Sequence, residues 1–397
     1  MSNQIKNKNK VVFLIRDLDF GGAQRQLVTL VKDFDKQKFD VTVLYFYSSS
    51  PLAKDLKDSG ISAICLEKQG RWDFIRFFSR LIRCLKDIKP DVLHTYMGES
   101  NVMAVLLKPF FPSTKLIWGI RVSQTPTDAF DWLGNVLCKL ECHLSHLVDL
   151  IIVNSYAGRQ DYVNYGFPAQ KTVVISNGID TERFQLNKEI GAKLRTEWRI
   201  SEQQILIGLV GRLYPQKDHS NFLKAAALLC KDYNNVRFVC VGTGPDQEYN
   251  KKLYQQTEEL GLTDKLIWTG VRGDMQAVHN ALDIAVSSSA FGEGFGNVIG
   301  EAMACGVPCV VTDVGDSALI VGDCGIVVPP NDPEALASGC GHLVNLLKQD
   351  KKVMQEKVRR KIVECFSVHK LVETTQSYCS NTSDIELKKP SLKINFN

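Results

Sequence analysis

The chain has 397 residues, enough for two domains with separate cores, and its 44% hydrophobic and 23% charged residues are ordinary for a folded protein in water. A net charge of +4 is too small to mark a nucleic-acid binder, so no nucleic acid is expected. No apolar run is long enough to cross a bilayer, and the opening MSNQIKNKNK lacks the apolar core of an export signal. Charge is unevenly placed: residues 1–180 hold 23 basic and 18 acidic side chains, a net of +5, and the remainder 25 and 26, a net of −1. Any attraction to an anionic surface therefore belongs to the first half.

The twelve cysteines do not read as disulfides. Cys65, Cys240 and Cys309 lie in or beside apolar runs, where cysteine behaves as a small hydrophobe. No CxxC pair occurs, and a reducing cytoplasm is the expected compartment. Cys138, Cys142 and His146 share one face of a helix. Without a fourth ligand they read as a packed face, so no metal is expected.

Val11 to Ile15 is the first apolar run and predicts a strand. Gly21-Gly22 follows, then a helix over 23–34 with Leu27, Leu30 and Val31 on one face. Strand, glycine turn, helix is the opening of a dinucleotide-type fold. Further strands are predicted over 39–46 and 61–66. Between Arg71 and Lys89 the pattern is helical, with Phe74, Phe77, Phe78, Leu81 and Leu85 apolar and Arg76, Arg80 and Arg83 forming a basic face. Such a helix packs on a sheet as a crossover or rests on anionic lipid.

Pro90 stops that helix, and strands follow over 91–95 and 115–122. Side chains at the C-terminal ends of parallel strands face a ligand crevice, which draws His94 and Arg121 into consideration, His94 with a structural role equally in view. Strands are expected again over 149–154 and 172–176, and Asn177-Gly178 marks a turn. The polar stretch 180–204 reads as a linker with a short helix.

Ile205 to Val210 opens a second series of strands, continued over 236–241, 266–269, 283–286, 307–312 and 325–330. After the first of these stands Gly211-Arg212-Leu213-Tyr214-Pro215-Gln216-Lys217. Arg212 and Lys217 sit on one turn and can close on a diphosphate from two sides. Asp332-Pro333 starts an amphipathic helix predicted to Leu347, and the last helices run to about Ser377. Residues from Cys379 on read as a loose tail.

The stretch that organises the rest is SSSAFGEGFGNVIGEAMACGVPCVVTD, Ser287 to Asp313. A glycine-rich loop leads into a helix predicted over 297–305, whose N-terminus favours an anion. Glu293 lies in the loop and Glu301 farther along, where its carboxylate can accept hydrogen bonds from neutral hydroxyls. The implied ligand carries a phosphate with hydroxyls on either side of it, as a sugar nucleotide does.

Glu-Gly-Phe-Gly, four residues, then Glu and Ala-Met-Ala-Cys-Gly-Val-Pro-Cys-Val resembles the signature of the retaining glycosyltransferases of family 4. The likeness extends from about Val11 to about Leu371. It implies an α/β GT-B fold: two Rossmann-like domains with parallel sheets facing across a cleft. The boundaries it suggests are 1–180 for an acceptor domain, 181–375 for a nucleotide-sugar donor domain and 376–397 for a tail. The implied activity is transfer of a sugar from a nucleotide-diphosphate sugar, UDP by family frequency, to an acceptor hydroxyl with retention, in surface polysaccharide or glycolipid assembly. No cofactor is implied beyond the donor itself.

The resemblance gives Arg212 and Lys217 the diphosphate. It gives Glu293 the transferred sugar, Glu301 the ribose, and Phe295, Gly296, Asn297 and Val298 the helix-start contacts. Main-chain atoms of Val271 and Arg272 are set beside the base, and Gly21 and Gly22 near the donor phosphates and the acceptor. His94 and Arg121 fall on the acceptor side. Many members have a His near Arg121, so this chain departs from the family there, as it does at Ser176, where Pro is usual. Lipid-linked acceptors of such enzymes imply a saccharide or lipid-linked partner, with peripheral contact at the inner face of the cell membrane through the first domain. A UDP-sugar 2-epimerase of the same architecture and a non-catalytic nucleotide-sugar-binding protein are the rival readings. The glutamate pair followed by AMACGVP favours transfer.

Overall fold

A computed structural model describes residues 8–70, 72–121 and 132–380. Arg71, Val122 and the tail from residue 381 onward, which enter the readings above, lie outside them. Among the described residues thirteen strands form two parallel sheets. The first contains β1 (Asn9–Ile15), β2 (Phe39–Tyr45), β3 (Ser62–Cys65), β4 (Val92–Tyr96), β5 (Lys115–Ile120), β6 (Leu150–Val153) and β7 (Thr172–Val174) in the order β3-β2-β1-β4-β5-β6-β7. The second contains β8 (Ile205–Val210), β9 (Val236–Val241), β10 (Leu266–Trp268), β11 (Ile284–Ser287), β12 (Cys309–Thr312) and β13 (Ile326–Val328) in the order β10-β9-β8-β11-β12-β13. Every pairing described is parallel, β1 running beside β2 from Asn9↔Phe39 to Ile15↔Tyr45 and beside β4 from Val11↔Val92 to Ile15↔Tyr96.

Each order reverses direction at one place, between β1 and β4 and between β8 and β11. At such a point the following helices leave on opposite faces, so the loops after those strands border an open crevice. Two Rossmann-like α/β domains with parallel sheets, the GT-B architecture, are therefore present.

Parallel strands are covered on both faces, which is why they read as continuous apolar runs. Val11 to Ile15 are all fully buried. In the second sheet the two-residue period divides the core. Leu206, Val239 and Ala285 pack on one side with Met303 and Ile320, and Ile207, Phe238 and Val286 on the other with Phe222 and Leu336.

The helices of the first half are α1 (Gly22–Lys32), α2 (Leu52–Asp58), α3 (Phe74–Ile88), α4 (Gly98–Leu107), α5 (Trp132–Leu144) and α6 (Tyr156–Tyr165). Those of the second are α7 (Lys188–Glu197), α8 (His219–Asp232), α9 (Gln247–Glu259), α10 (Met275–Ala281), α11 (Asn297–Ala304), α12 (Ser317–Val321), α13 (Pro333–Phe366) and α14 (Val368–Cys379). α13 runs well past the predicted stop at Leu347, through a break at Asp350 (φ −152°, ψ 82°). The polar run Gln349-Asp350-Lys351-Lys352 looks like an end, but Val358, Ile362 and Phe366 beyond it are buried and carry the helix on.

The chain divides into two compact units. One comprises the described residues of Met1–Gly119, Leu147–Asp149 and Leu371–Asn397; the other those of Ile120–His146 and Leu150–Lys370. The end of α14 is tied into the first unit: Asn9 Nδ2 donates to the Cys379 carbonyl and Lys115 Nζ to the Tyr378 carbonyl, both at 2.8 Å.

α3 buries Phe77, Leu81 and Leu85 and turns Arg80 inward to Asp73 at 2.9 Å. It leaves Trp72 and Ile75 86% and 84% exposed, with Phe74 beside them also exposed. Among the described residues no helix is long and apolar enough to cross a membrane.

Candidate active site

The loops after β8 and β11 meet at the reversal point of the second sheet. Gly211 follows β8, and Arg212 turns its guanidinium over the Tyr214 ring, 4.7 Å from the centroid. A single tight turn, Pro215–Lys217, brings Lys217 round to face the loop after β11. There Lys217 Nζ donates to Glu293 Oε2, which also accepts from Ser289 Oγ at 3.0 Å. Both partners are largely shielded, 24% and 12% exposed, so the pair is screened less than a surface one.

The backbones of the two loops are laced as well. Gln216 Nε2 donates to the Gly292 carbonyl at 2.6 Å, and Ala290 N–H to the Gln216 carbonyl at 2.8 Å. Ser288 Oγ donates to the carbonyls of Lys217 and Asp218 at 2.8 and 3.0 Å. Asp218, in the left-handed region at φ 44°, caps α8 through Asn221 N–H. Gly315 must be glycine: at φ +62° its added Cβ would lie 2.1 Å from the Glu293 carbonyl oxygen. The Glu293 loop is thus fixed from both sides.

α11 begins at Asn297 with Gly296 before it and has no side-chain cap. Its first turn presents N–H groups with the positive end of the helix dipole. Lys217, Ser288, Glu293, Gly296, Asn297 and Val298 line one cavity there. Asn297 Oδ1 accepts from Asn177 Nδ2 at 2.9 Å, and Asn177 Oδ1 accepts from Arg121 Nη1 at 3.1 Å. Arg121, which follows β5, is therefore bonded through one asparagine to the start of α11. Asn177 was read from the sequence only as a turn residue; nothing local to it signals this bridge.

Glu301, on the next turn of α11, is half-buried, and Nε2 of the buried His279 lies 3.4 Å from its Oε2. Burial and the Glu301 charge, with smaller offsets from Arg359 and Asn280, push the neighbouring Cys305 thiol up to about 12, so it stays an inert thiol.

Other expected residues are placed differently. Phe295 is buried against Phe366, ring centroids 5.5 Å apart, so its side chain belongs to the core. Arg272 is held by Asp274 at 2.7 Å and Glu197 at 2.8 Å. Val271 beside it is exposed. His94 is corrected. β4 continues to Tyr96, so His94 sits mid-strand, fully buried, its ring 5.1 Å from Phe13 and 5.0 Å from Tyr96. A side chain in that position packs the sheet and does not face a ligand.

Gly21 is the N-cap of α1 with extended φ −138°. A Cβ there would meet Gln24 Oε1 at 2.3 Å, because Gln24 folds back to bond Asp17 at 2.8 Å. Gly21 and Gly22 thus leave bare main chain in the loop after β1 and at the start of α1; Arg16, directly after β1, pairs with Glu99 at 3.1 Å. Cys138 is buried and Cys142 half-buried, and Cys142 Sγ donates to the Tyr165 carbonyl at 3.5 Å. Among the described residues no group of three His, Cys, Asp or Glu side chains is placed to hold a metal ion.

The profile described as Glycosyltransferase Family 4 matches residues 20–183, and that described as Glycosyl transferases group 1 matches residues 204–345. A UDP-Gal:alpha-D-GlcNAc-diphosphoundecaprenol alpha-1,3-galactosyltransferase of Escherichia coli is 24% identical over 89% of this chain and 92% of its own. A D-inositol 3-phosphate glycosyltransferase of Corynebacterium urealyticum is 29% identical, over 64% of this chain and 63% of that protein. Among solved structures, HepE of Anabaena in complex with UDP superposes with a TM-score of 0.79 at 21% identity, covering 93% of this chain and 99% of that one.

Proposed function

The chain belongs to the GT-B glycosyltransferases of family 4, which move a sugar from a nucleotide-diphosphate donor to an acceptor, and on that premise we propose a UDP-sugar as the donor and retention at the transferred carbon. The observation that carries the reading is the meeting of the β8 and β11 loops, which gathers Lys217, Glu293 and the uncapped start of α11 around one cavity. A donor diphosphate needs cations and oriented N–H groups held away from water, and this is such a set.

In this scheme the diphosphate takes Lys217 from Glu293 and lies against the start of α11. Arg212 swings from the Tyr214 ring to hold two of its oxygens. Glu293, released, accepts hydrogen bonds from hydroxyls of the transferred sugar, and Glu301 from the ribose. The main chain of Val271 and Arg272 borders the base, and main-chain atoms of Phe295 and Val298 complete the helix-start contacts. As the bond from the sugar carbon to the phosphate oxygen breaks, charge grows on the diphosphate, where Arg212, Lys217 and the helix dipole stabilise it. The acceptor oxygen bonds the sugar carbon, and its proton passes to the departing phosphate oxygen. Residues 1–180 serve as the acceptor domain and 181–375 as the donor domain, and the tail expected from residue 376 is corrected to start later, because α14 runs to Cys379, which is buried and bonded to Asn9; Gly21 and Gly22 lie near the donor phosphates and the acceptor, and Arg121 on the acceptor side.

The acceptor is a saccharide on a lipid carrier, and the setting is surface polysaccharide or glycolipid assembly on the cytoplasmic side of the cell membrane. Trp72, Phe74 and Ile75, exposed at the start of α3 with Arg76, Arg83 and Lys86 exposed along it, suit shallow insertion into an anionic surface. The relatives include enzymes named for diphosphoundecaprenol substrates. Co-sedimentation with phosphatidylglycerol vesicles should fall when Trp72 and Ile75 are both changed to Ser. Equal pelleting of the variant would remove the membrane contact.

The test of the donor site is a thermal-shift panel of UDP, GDP, ADP and CMP with the Glu301→Ala variant beside the parent. Ligands that bind the native state raise Tm by mass action. UDP should raise it in the parent and much less in the variant. No shift with any nucleotide would sink the donor site. A UDP-sugar converted to its C2 epimer without any acceptor would instead favour the epimerase.

A further inference from the structure

We infer that His279 is a positioning residue for the donor's ribose, acting through Glu301; this rests on the proposed role of Glu301. His279 stands on α10 and is fully buried. Its Nε2 lies 3.4 Å from Glu301 Oε2. Its Nδ1 is also buried and has no hydrogen-bond partner among the described residues. Of the two neutral tautomers, the one with its proton on Nδ1 would bury a donor against nothing. The tautomer with the proton on Nε2 places that proton on the carboxylate.

A phenylalanine or leucine would fill the same space beside Phe184, 5.9 Å away, without burying a bare ring nitrogen. The histidine's polarity therefore has a use, and Glu301 is the polar group in its reach. The other fully buried histidine of this unit, His219, stacks beside Trp268 and has neither nitrogen bonded, so burial alone does not bring an imidazole to a carboxylate.

The consequence is directional. Glu301 is anchored from its buried side through Oε2. Oε1 and the remaining lone pairs are left for two neighbouring hydroxyls, which a ribose supplies at its 2′ and 3′ positions. Without His279 the carboxylate turns among rotamers, and the hydroxyls lose a fixed acceptor.

The experiment compares UDP with 2′,3′-dideoxy-UDP, by calorimetry, in the parent, His279→Leu, His279→Gln and Glu301→Ala. The parent should prefer UDP. His279→Leu should weaken UDP roughly tenfold, the size of one charge-assisted hydrogen bond, and leave dideoxy-UDP unchanged. Gln, whose amide nitrogen reaches about as far as Nε2, should restore UDP to within about threefold of the parent. His279→Met repeats the test if the leucine variant does not fold, since its flexible side chain fills irregular space.

A leucine variant that binds UDP as the parent does, or that loses both ligands equally, would overturn the inference; the second result marks a packing role. A different pattern exposes the premise. If the parent and Glu301→Ala both bind UDP and dideoxy-UDP alike, Glu301 does not hold the ribose and the inference falls with it.

Discussion

The loops that follow β8 and β11 and those that follow β1 and β4 occupy the same place in their respective sheets, yet they are built differently. After β8 and β11 the charged side chains are shielded and bonded from one loop to the other: Lys217 to Glu293, Gln216 to the Gly292 carbonyl, Ser288 to the Lys217 carbonyl. After β1 and β4 the corresponding pair, Arg16 with Glu99, is 50% and 46% exposed. The difference fits the roles proposed for the two places, donor at the second sheet and acceptor at the first. A diphosphate is a fixed, highly charged group, and holding it needs preorganised charges kept from water. A hydroxyl acceptor puts no such demand on the strand ends.

The sharpest way to break this comparison is Lys217→Ala. It removes a cation from the proposed diphosphate site and leaves Glu293 shielded with Ser289 as its remaining side-chain partner. Loss of one such preorganised group costs about 10²–10³ in kcat. Initial rates of sugar transfer measure it; a variant within a few-fold of the parent would mean that the laced loops are scaffolding only.

Next comes the frame beneath those loops. Asp283, just before β11, is nearly buried and bonds Arg195 at 2.8 Å, Lys351 at 2.6 Å and the Leu206 N–H at 2.9 Å. Burial alone would push its carboxyl up, but the charges of Lys351 and Arg195 with these hydrogen bonds overcome that and leave it below the ordinary value. The stability it contributes is present above the unfolded carboxylate range and is lost as pH falls through its lowered folded value. Asp283→Asn breaks a buried ion cluster and should cost about 3 kcal/mol in urea unfolding at pH 7. A cost under about 1 kcal/mol would show that β8 and β11 stay in register without it.

A smaller, pH-gated effect belongs to His219, beside Lys217 at the start of α8. Burial, and then the Lys217 charge, push it down to about 4 from an ordinary 6.5. The folded state binds this proton less well than the unfolded state does. His219's contribution is therefore whole above pH 6.5 and declines as pH falls towards 4, by on the order of 2–3 kcal/mol. Unfolding of His219→Leu and the parent at pH 7 and pH 4.5 separates this term, since the variant should fall less. Parallel declines would assign the acid sensitivity elsewhere.

What was legible beforehand follows the same division. Strands were read closely because parallel strands are apolar throughout: the 205–210 and 236–241 readings match β8 and β9 residue for residue. α4 was not foreseen. It starts at Gly98 after Met97, whose positive φ of 71° is unusual for that residue, and no capping side chain announces it. In the site, Arg212, Lys217, Glu293 and Glu301 stood out because glycines and charges crowd one short stretch around each. Asn177, Gln216 and His279 did not, because each acts on a partner that only the fold brings near, and Ser289 did not because a serine four residues before Glu293 carries no signal of its own. Gln216 and Gly292, for instance, are 76 residues apart in the chain. Of the two roles held in view for His94, its burial favours the structural one, because β4 ends one residue later than predicted and sets it mid-strand.

The smallest expected effect is at the other end of the comparison. Glu99→Ala removes the nearer carboxylate partner of Arg16, which follows β1, and leaves Asp17 at 3.9 Å. Two long side chains in water gain little from pairing, lose rotamer freedom to do it and are screened by salt, so the change should be below about 0.5 kcal/mol. Arg16 also lies 5.8 Å over the Tyr47 ring, a contact that survives the loss of Glu99. Urea unfolding at low and at high salt should place the variant on the parent's curve in both. If Glu99→Ala instead costs more than about 1 kcal/mol, the ends of β1 and β4 are braced as firmly as those of β8 and β11. Preorganised charge would then be a property of both sheets, and the reason given for finding it at the proposed donor loops alone would fail.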